Sequence, residues 1–310
     1  MNIAFAGTPD FAATILEGLI SSPHEVGLVV SQPDPRKGRG RRTTKTPIAE
    51  LAYSHGLPLR QPANISEISD ELHHHDALVV AAYGQILRPD TLYAAALGAW
   101  NVHASLLPKY RGAAPVERAI MGGETETGVT IMRMDEGLDT GPIAPQHPVA
   151  LPPEMNAGEL TDLLARFGAN AIVEGLNLLQ TNTLTLVEQD SFHATYASKV
   201  SDEDKIIGWG GEVREVHDLI RALAPHIGAR TFHPEVEGTV KIWRSTKANR
   251  ITGSSEAGRI EARNGRIAVH CGKGCLEVLE IQLPAGRRLR AREFLLGHSL
   301  EGAFLPQYTA

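Results

Sequence analysis

What this chain has little of narrows it first. Cysteine occurs only at Cys271 and Cys275 in 310 residues. That is too few for a disulfide scaffold and fits a reducing compartment. With no second pair and no zinc-type histidine spacing, the two read as ordinary thiols. No apolar run approaches the ~18 residues of a membrane span, so no membrane association is expected. The longest, Ala77 to Tyr83, has the length of a core strand. No basic, apolar leader opens the sequence at Met1-Asn2-Ile3-Ala4-Phe5-Ala6-Gly7, which predicts a cytoplasmic protein. Neither the dinucleotide fingerprint G-x-G-x-x-G nor the phosphate loop G-x-x-x-x-G-K-[ST] occurs. Three adjacent imidazoles at His73, His74 and His75 cannot face one ion from a regular element, so they read as surface and no metal is expected.

What is there is ordinary globular material: 42% apolar, 21% charged and 5% aromatic residues. At roughly 150 residues per domain, the length suggests about two domains. The net charge of −6 is unevenly divided. Residues 1–190 hold 13 basic against 22 acidic side chains, and residues 191–310 hold 17 against 14. The acidic part still carries one cationic island: Arg36, Lys37, Arg39, Arg41, Arg42 and Lys45, with no acid between Pro35 and Ala49. Charge alone leaves two readings open, a solvated loop or a contact with phosphates.

Apolar runs alternate with helical patterns through the first half. Strands are predicted at 3–6, 26–30, 57–60, 77–82, 100–103 and 127–134, and helices at 11–20, 47–55, 87–97, 115–121 and 157–179. The unbroken apolar run from Ala77 suits a strand covered on both faces. Alternation of this kind predicts an α/β domain with a mostly parallel, Rossmann-like sheet over residues 1–188. Residues 189–205 are polar and aperiodic, as in a linker. From 206 to 310 one helix, near 213–223, precedes short β-rich segments at 239–243, 258–262, 266–270 and 275–283, which predict a small barrel or sandwich.

Three segments carry chemistry. In Asn101-Val102-His103, alternation along an extended segment puts Asn101 and His103 on one face. An amide can donate to a developing oxyanion, and an imidazole can move a proton near neutral pH; taken alone, the motif reads first as a structural pair. Gly137-Leu138-Asp139-Thr140-Gly141 is a turn whose carboxylate could orient an imidazole or simply serve the turn. Ala6-Gly7-Thr8-Pro9-Asp10 is a glycine turn that either closes the first strand or cradles phosphate.

Taken together, Asn101-x-His103-x-Ser105-Leu106-Leu107-Pro108-x-Tyr110-Arg111-Gly112, then Gly128-Val129-Thr130, then Asp135-x-Gly137-x-Asp139-Thr140-Gly141, resemble the signature of folate-dependent formyltransferases. Phe5 to Phe11 and Gln32-Pro33-Asp34 with the basic island resemble one branch, whose members formylate methionine carried on initiator tRNA. The likeness extends to Thr195-Tyr196-Ala197 and Gln282 to Gly286 and weakens at Ile207-Gly208-Trp209 and Pro225 to Gly228. It implies 10-formyltetrahydrofolate as formyl donor, with Asn101, His103 and Asp139 catalytic. It implies that Ser105, Leu106, Leu107 and Pro108 line the folate site and that Tyr83 to Leu87 border the pterin. It implies that Arg36, Lys37, Gly38, Arg39, Gly40, Arg41, Arg42 and Lys45 meet the acceptor end of the tRNA. An OB-like C-terminal barrel holding the acceptor arm, and a monomer, complete the expectation.

Overall fold

Apolar runs too short for helices become strands, and the amphipathic stretches between them cross over and cover the faces of the sheet. The computed structural model describes residues 1–37, 42–248 and 256–306. In chain order the elements of the first part are β1 (Asn2–Gly7), α1 (Asp10–Ile20), β2 (Glu25–Val30), β3 (Arg36–Lys37), β4 (Arg42–Thr43), α2 (Pro47–Ser54), β5 (Leu59–Arg60), α3 (Ser69–Leu72), β6 (Ala77–Ala81), α4 (Pro89–Leu92), β7 (Ala99–His103), α5 (Pro115–Met121), β8 (Glu126–Arg133), β9 (Ile143–Ala150) and α6 (Ala157–Gln180). Then follow α7 (Val213–Ala222), β10 (Ala229–His233), β11 (Val236–Lys247), β12 (Ile260–Arg263), β13 (Arg266–His270), β14 (Cys275–Gln282), β15 (Leu289–Arg290) and α8 (Ala291–Phe294).

These elements form two compact units. The first comprises Met1–Pro115, Glu126–Ala150 and Thr161–Ala197; the second comprises Val116–Thr125, Leu151–Leu160 and Ser198–Ala310. The first unit holds a seven-stranded sheet in the order β5-β2-β1-β6-β7-β8-β9. Strands β5 to β7 of that order run parallel, and β8 and β9 turn antiparallel. The Rossmann-like reading is therefore correct for the parallel part. At the centre, β6 is buried at every position, as its unbroken apolar run requires.

Two differences from the sequence reading have physical causes. The helix expected over 87–97 shrinks to the four residues of α4. The amides of Ala96 and Leu97 instead donate sideways to the carbonyls of His75 and Asp76, which ends the i to i−4 ladder. Strand β9 was not foreseen, because Pro145 and Pro148 break its pattern; it lies at the sheet edge, where a missing N–H is tolerated.

The second unit is antiparallel, in the order β10-β11-β14-β13-β12, with β15 beside β14. Its core gathers Ile207, Trp209, Val216, Ile220, Ile242, Ile267, Phe294 and Phe304. Helix α7 adds a buried ion pair, Arg221 Nε to Asp218 Oδ1 at 2.7 Å. The sheet closes through its last segment: Leu305 pairs with Phe232 of β10, and Ala303 pairs with Arg259 just ahead of β12. This closure makes the unit the small barrel expected. Strands β10 and β15 and helix α8 are additions to the sequence reading.

Candidate active site

The carboxyl ends of the parallel strands are where an open α/β sheet receives ligands, and the chemistry-bearing side chains collect there. Strand β7 ends in Asn101, Val102 and His103. His103 is buried, at 5% exposure, and Asn101 is half-buried. Among the described residues the Asn101 side-chain amide has no hydrogen-bond partner. His103 Nε2 lies 3.0 Å from the Tyr110 carbonyl. A carbonyl only accepts, so Nε2 carries the proton. That turns Nδ1 towards Asp139, whose Oδ2 is 3.8 Å away. The gap is too wide for a direct hydrogen bond yet close enough for an ion pair once the ring is protonated.

Asp139 sits in the turn after β8, in the left-handed region at φ 53. Its Oδ2 accepts the Gly112 N–H at 2.7 Å. Gly112 itself has φ 118, and a Cβ there would come within 2.9 Å of the Ala197 carbonyl, so glycine is required. The loop carrying Tyr110 and Gly112 is laced to residues 195–197. Arg111 donates its N–H to the Thr195 carbonyl at 2.8 Å, Ala197 donates to the Arg111 carbonyl at 2.7 Å, and Tyr110 N–H donates to Thr195 Oγ1 at 2.8 Å. Gln189 adds a cross-tie between Arg111 and the Asp139 turn. The sequence reading named Thr195 to Ala197 but missed Gln189, which lies in a polar stretch with no local pattern.

Beneath the loop, Thr130 of β8 acts as a peg. Its hydroxyl donates to the Ser105 carbonyl at 2.7 Å and accepts from Leu107 N–H at 3.1 Å. It also accepts from Gln146 Nε2 at 2.7 Å. Ser105 is fully buried, with its hydroxyl donating to the Lys109 carbonyl at 2.7 Å. Leu107 is also buried, while Leu106 and Pro108 are half-buried. A ligand here meets the loop backbone, Leu106 and Pro108 before it meets the Ser105 hydroxyl.

Around the neighbouring strand ends, Thr8 Oγ1 donates to the Tyr83 carbonyl at 3.0 Å, so the first glycine turn is tied to the end of β6. Gln32 donates to the same carbonyl. Within the stretch Tyr83 to Leu87, the Tyr83 and Leu87 side chains are buried, whereas Ile86 is 90% exposed. Burial first, and the nearby Glu67 charge second, push the Tyr83 phenol up to about 12.

Of the basic island, Arg36–Lys37 and Arg42–Thr43 pair as the antiparallel strands β3 and β4. Gly38, Arg39, Gly40 and Arg41 lie outside the described residues. Lys45 Nζ rests 4.0 Å over the Tyr53 ring. At the root of this hairpin, Asp34 Oδ1 accepts the Thr46 N–H at 3.1 Å and Gln61 Nε2 at 2.7 Å.

In the second unit Lys241 and Arg288 both lie on the Trp243 ring. The Lys241 ammonium is held below its ordinary range by burial and by the charges of Arg230 and Lys205. Sequence reading did not single out this cationic cluster. His75 is buried, unlike exposed His73 and His74, so the surface reading of that triplet fails at one residue. His75 Nδ1 lies 3.1 Å from the Glu71 carbonyl. Among the described residues no group of three potential ligands could hold a metal ion, and no helix is long and apolar enough to cross a membrane.

Known proteins resemble this chain. The family model "Formyl transferase" matches residues 1–176, and "Formyl transferase, C-terminal domain" matches residues 199–299. A methionyl-tRNA formyltransferase of Rubrobacter xylanophilus is 64% identical, over 98% of this chain and 99% of its own length. Another, of Syntrophomonas wolfei, is 42% identical over 98% of each. Among solved structures, an N-formyltransferase of Helicobacter canadensis in complex with folinic acid and dTDP-3-aminofucose is 18% identical. It aligns with a TM-score of 0.69 over 93% of this chain and 99% of that one, a likeness of fold.

Proposed function

The chain belongs to the formyl transferase family, and from that premise we propose that it transfers the formyl group of 10-formyltetrahydrofolate to the α-amino group of methionyl initiator tRNA, for translation initiation. The observation that carries the mechanism is the placing of Asn101 and His103 at the end of one strand, with the imidazole Nδ1 facing Asp139.

The amine nitrogen bonds to the formyl carbon while negative charge gathers on the formyl oxygen. Asn101 N–H donates to that oxygen and stabilises the charge, an effect that a single preorganised donor makes worth about 2.7–4 kcal/mol. The attacking nitrogen must lose a proton, and the folate nitrogen must gain one before its bond to carbon breaks. His103 accepts and returns that proton at Nδ1, because Nε2 is committed to Tyr110. Asp139 faces the ring and stabilises the imidazolium form between the two steps. The turn of Ser105, Leu106, Leu107 and Pro108, with Tyr83 to Leu87, borders the folate. The basic island, from Arg36 through Gly38, Arg39 and Gly40 to Lys45, meets the acceptor end through phosphates and splayed bases. The barrel unit, with Lys241 and Arg288, holds the acceptor arm by phosphate contacts. The protein works as a monomer in the cytoplasm.

The test offers labelled formyl-folate with charged initiator tRNA, with free methionine, or with no acceptor. Label should pass only to the charged tRNA, and His103→Ala should abolish transfer while the protein stays folded. Formylation of free methionine at an equal rate, or release of formate alone, would refute the reading.

A further inference from the structure

The side chain of Gln189 is saturated. Its two N–H bonds donate to the carbonyls of Asp139 and Gly141, each at 2.8 Å. Its single oxygen accepts Nε and Nη2 of Arg111, at 3.1 and 2.8 Å. Every donor and acceptor a carboxamide owns is therefore used. Arg111 is only 2% exposed, and among the described residues its guanidinium meets no carboxylate. A buried charge held solely by an amide oxygen is a costly arrangement, so a cheaper partner would serve if support of Arg111 were the whole purpose. Glutamate in place of Gln189 would supply one. What glutamate cannot supply is a donor to the other side.

That other side is the Asp139 turn. Asp139 has φ 53, a left-handed conformation uncommon in L residues, Asp being among those that adopt it most. The carboxylate is fixed by Gly112 N–H, and the backbone behind it is fixed by Gln189. Gly112 directly follows Arg111, which Gln189 also grips. One carboxamide thus ties together the peptide that holds the Asp139 carboxylate and the carbonyl of Asp139 itself.

Resting on the reading above, we propose that Gln189 is a positioning residue for the formyl transfer: its two N–H groups set the Asp139 turn so that Oδ2 faces His103 Nδ1.

The decisive variant is Gln189→Glu in the full-length protein. It keeps the oxygen contacts to Arg111, now as an ion pair, and sets a carboxylate oxygen against the carbonyls of Asp139 and Gly141 in place of the two donors. The new ion pair offsets part of the cost of those two carbonyls, so thermal unfolding should stay cooperative. The KM for each substrate should stay within about twofold, and kcat should fall about 100-fold, the usual cost of a catalytic group misplaced by about 1 Å. The pH profile of kcat should also move, because the groups that titrate no longer meet in the same geometry. An unchanged kcat with an unchanged profile would overturn the proposal, as would a loss carried wholly by KM. If Gln189→Glu does not fold, the double variant Arg111→Met with Gln189→Met asks the same question without leaving a charge unpaired. His103→Ala runs beside them. If wild type formylates charged tRNA, His103→Ala is dead and Gln189→Glu is normal, this inference alone fails. If wild type formylates no tRNA, the functional reading fails beneath it.

Discussion

Two threonines on β8 offer a paired experiment. Thr130 and Thr127 are both buried, and each can be replaced by valine, which keeps the branched shape and exchanges a hydroxyl for a methyl. Thr130 Oγ1 serves Ser105, Leu107 and Gln146. Thr127 Oγ1 is buried with no partner among the described residues. In Thr130→Val, the Ser105 carbonyl and the Leu107 N–H are orphaned, and a buried orphan costs about 1–3 kcal/mol. Gln146 keeps its bond to the Leu107 carbonyl at 2.8 Å, so it adds little. Two orphans near the middle of the range give ~4 kcal/mol, and the new buried methyl returns ~0.8 kcal/mol. The net loss is about 3 kcal/mol, or about 6–12 °C in Tm for a domain of this size. Thr127→Val removes an unsatisfied hydroxyl instead and should be neutral or stabilising by up to about 1 kcal/mol. Differential scanning calorimetry on the two proteins and wild type decides the matter. Equal shifts for both variants, or a loss below about 1 kcal/mol for Thr130→Val, would refute the peg as the support of the active-site loop.

Three shorter predictions follow from other sites. His24 is buried and neither ring nitrogen has a partner at full hydrogen-bond geometry among the described residues; burial foremost, then the N-terminal charge, lowers its pKa below the ordinary 6.5, against a weaker opposing contact with the Val173 backbone. The unfolded chain then binds that proton more readily, so stability is complete above pH 6.5 and falls as the pH drops below it. A Tm series from neutral to mildly acidic pH should show the fall, and His24→Leu should flatten it. Burial, and next the neighbouring Cys275, push the Cys271 thiol up to about 12; a thiol reagent should leave it intact in the native protein and label it after denaturation. Gly112→Ala places a Cβ against the Ala197 carbonyl at a φ suited to glycine, so formyl transfer should fall by at least about tenfold, with protease cleavage near residues 108–114 as a direct check.

The legible part of the protein was the part with local cause. The apolar run at Ala77 named a buried strand, and the alternation of Asn101 with His103 put both on one face of β7. Strand β9 was hidden by its prolines, which are harmless only because the strand is an edge, a tertiary fact. The tail of the expected helix after Leu87 was lost because its amides pair with His75 and Asp76, partners brought in by the sheet. Gln189 carried no signal at all. Its four bonds join places 78 and about 50 residues away in sequence, and nothing in the residues next to it anticipates them.

The barrel of the second unit is finished by its last strand-like segment. Thr231 Oγ1 donates to the Leu305 carbonyl across 74 residues of chain. During synthesis the Phe232 end of the β10 edge therefore waits until residues 303–305 emerge, while its Arg230 end pairs with Ile206. A message cut short only a few codons before that point would yield a chain with nearly every core residue in place and two open sheet edges. Such edges recruit other chains. Truncation near the end of this sequence should thus be read as a hazard for aggregation, graver than the small loss of residues suggests.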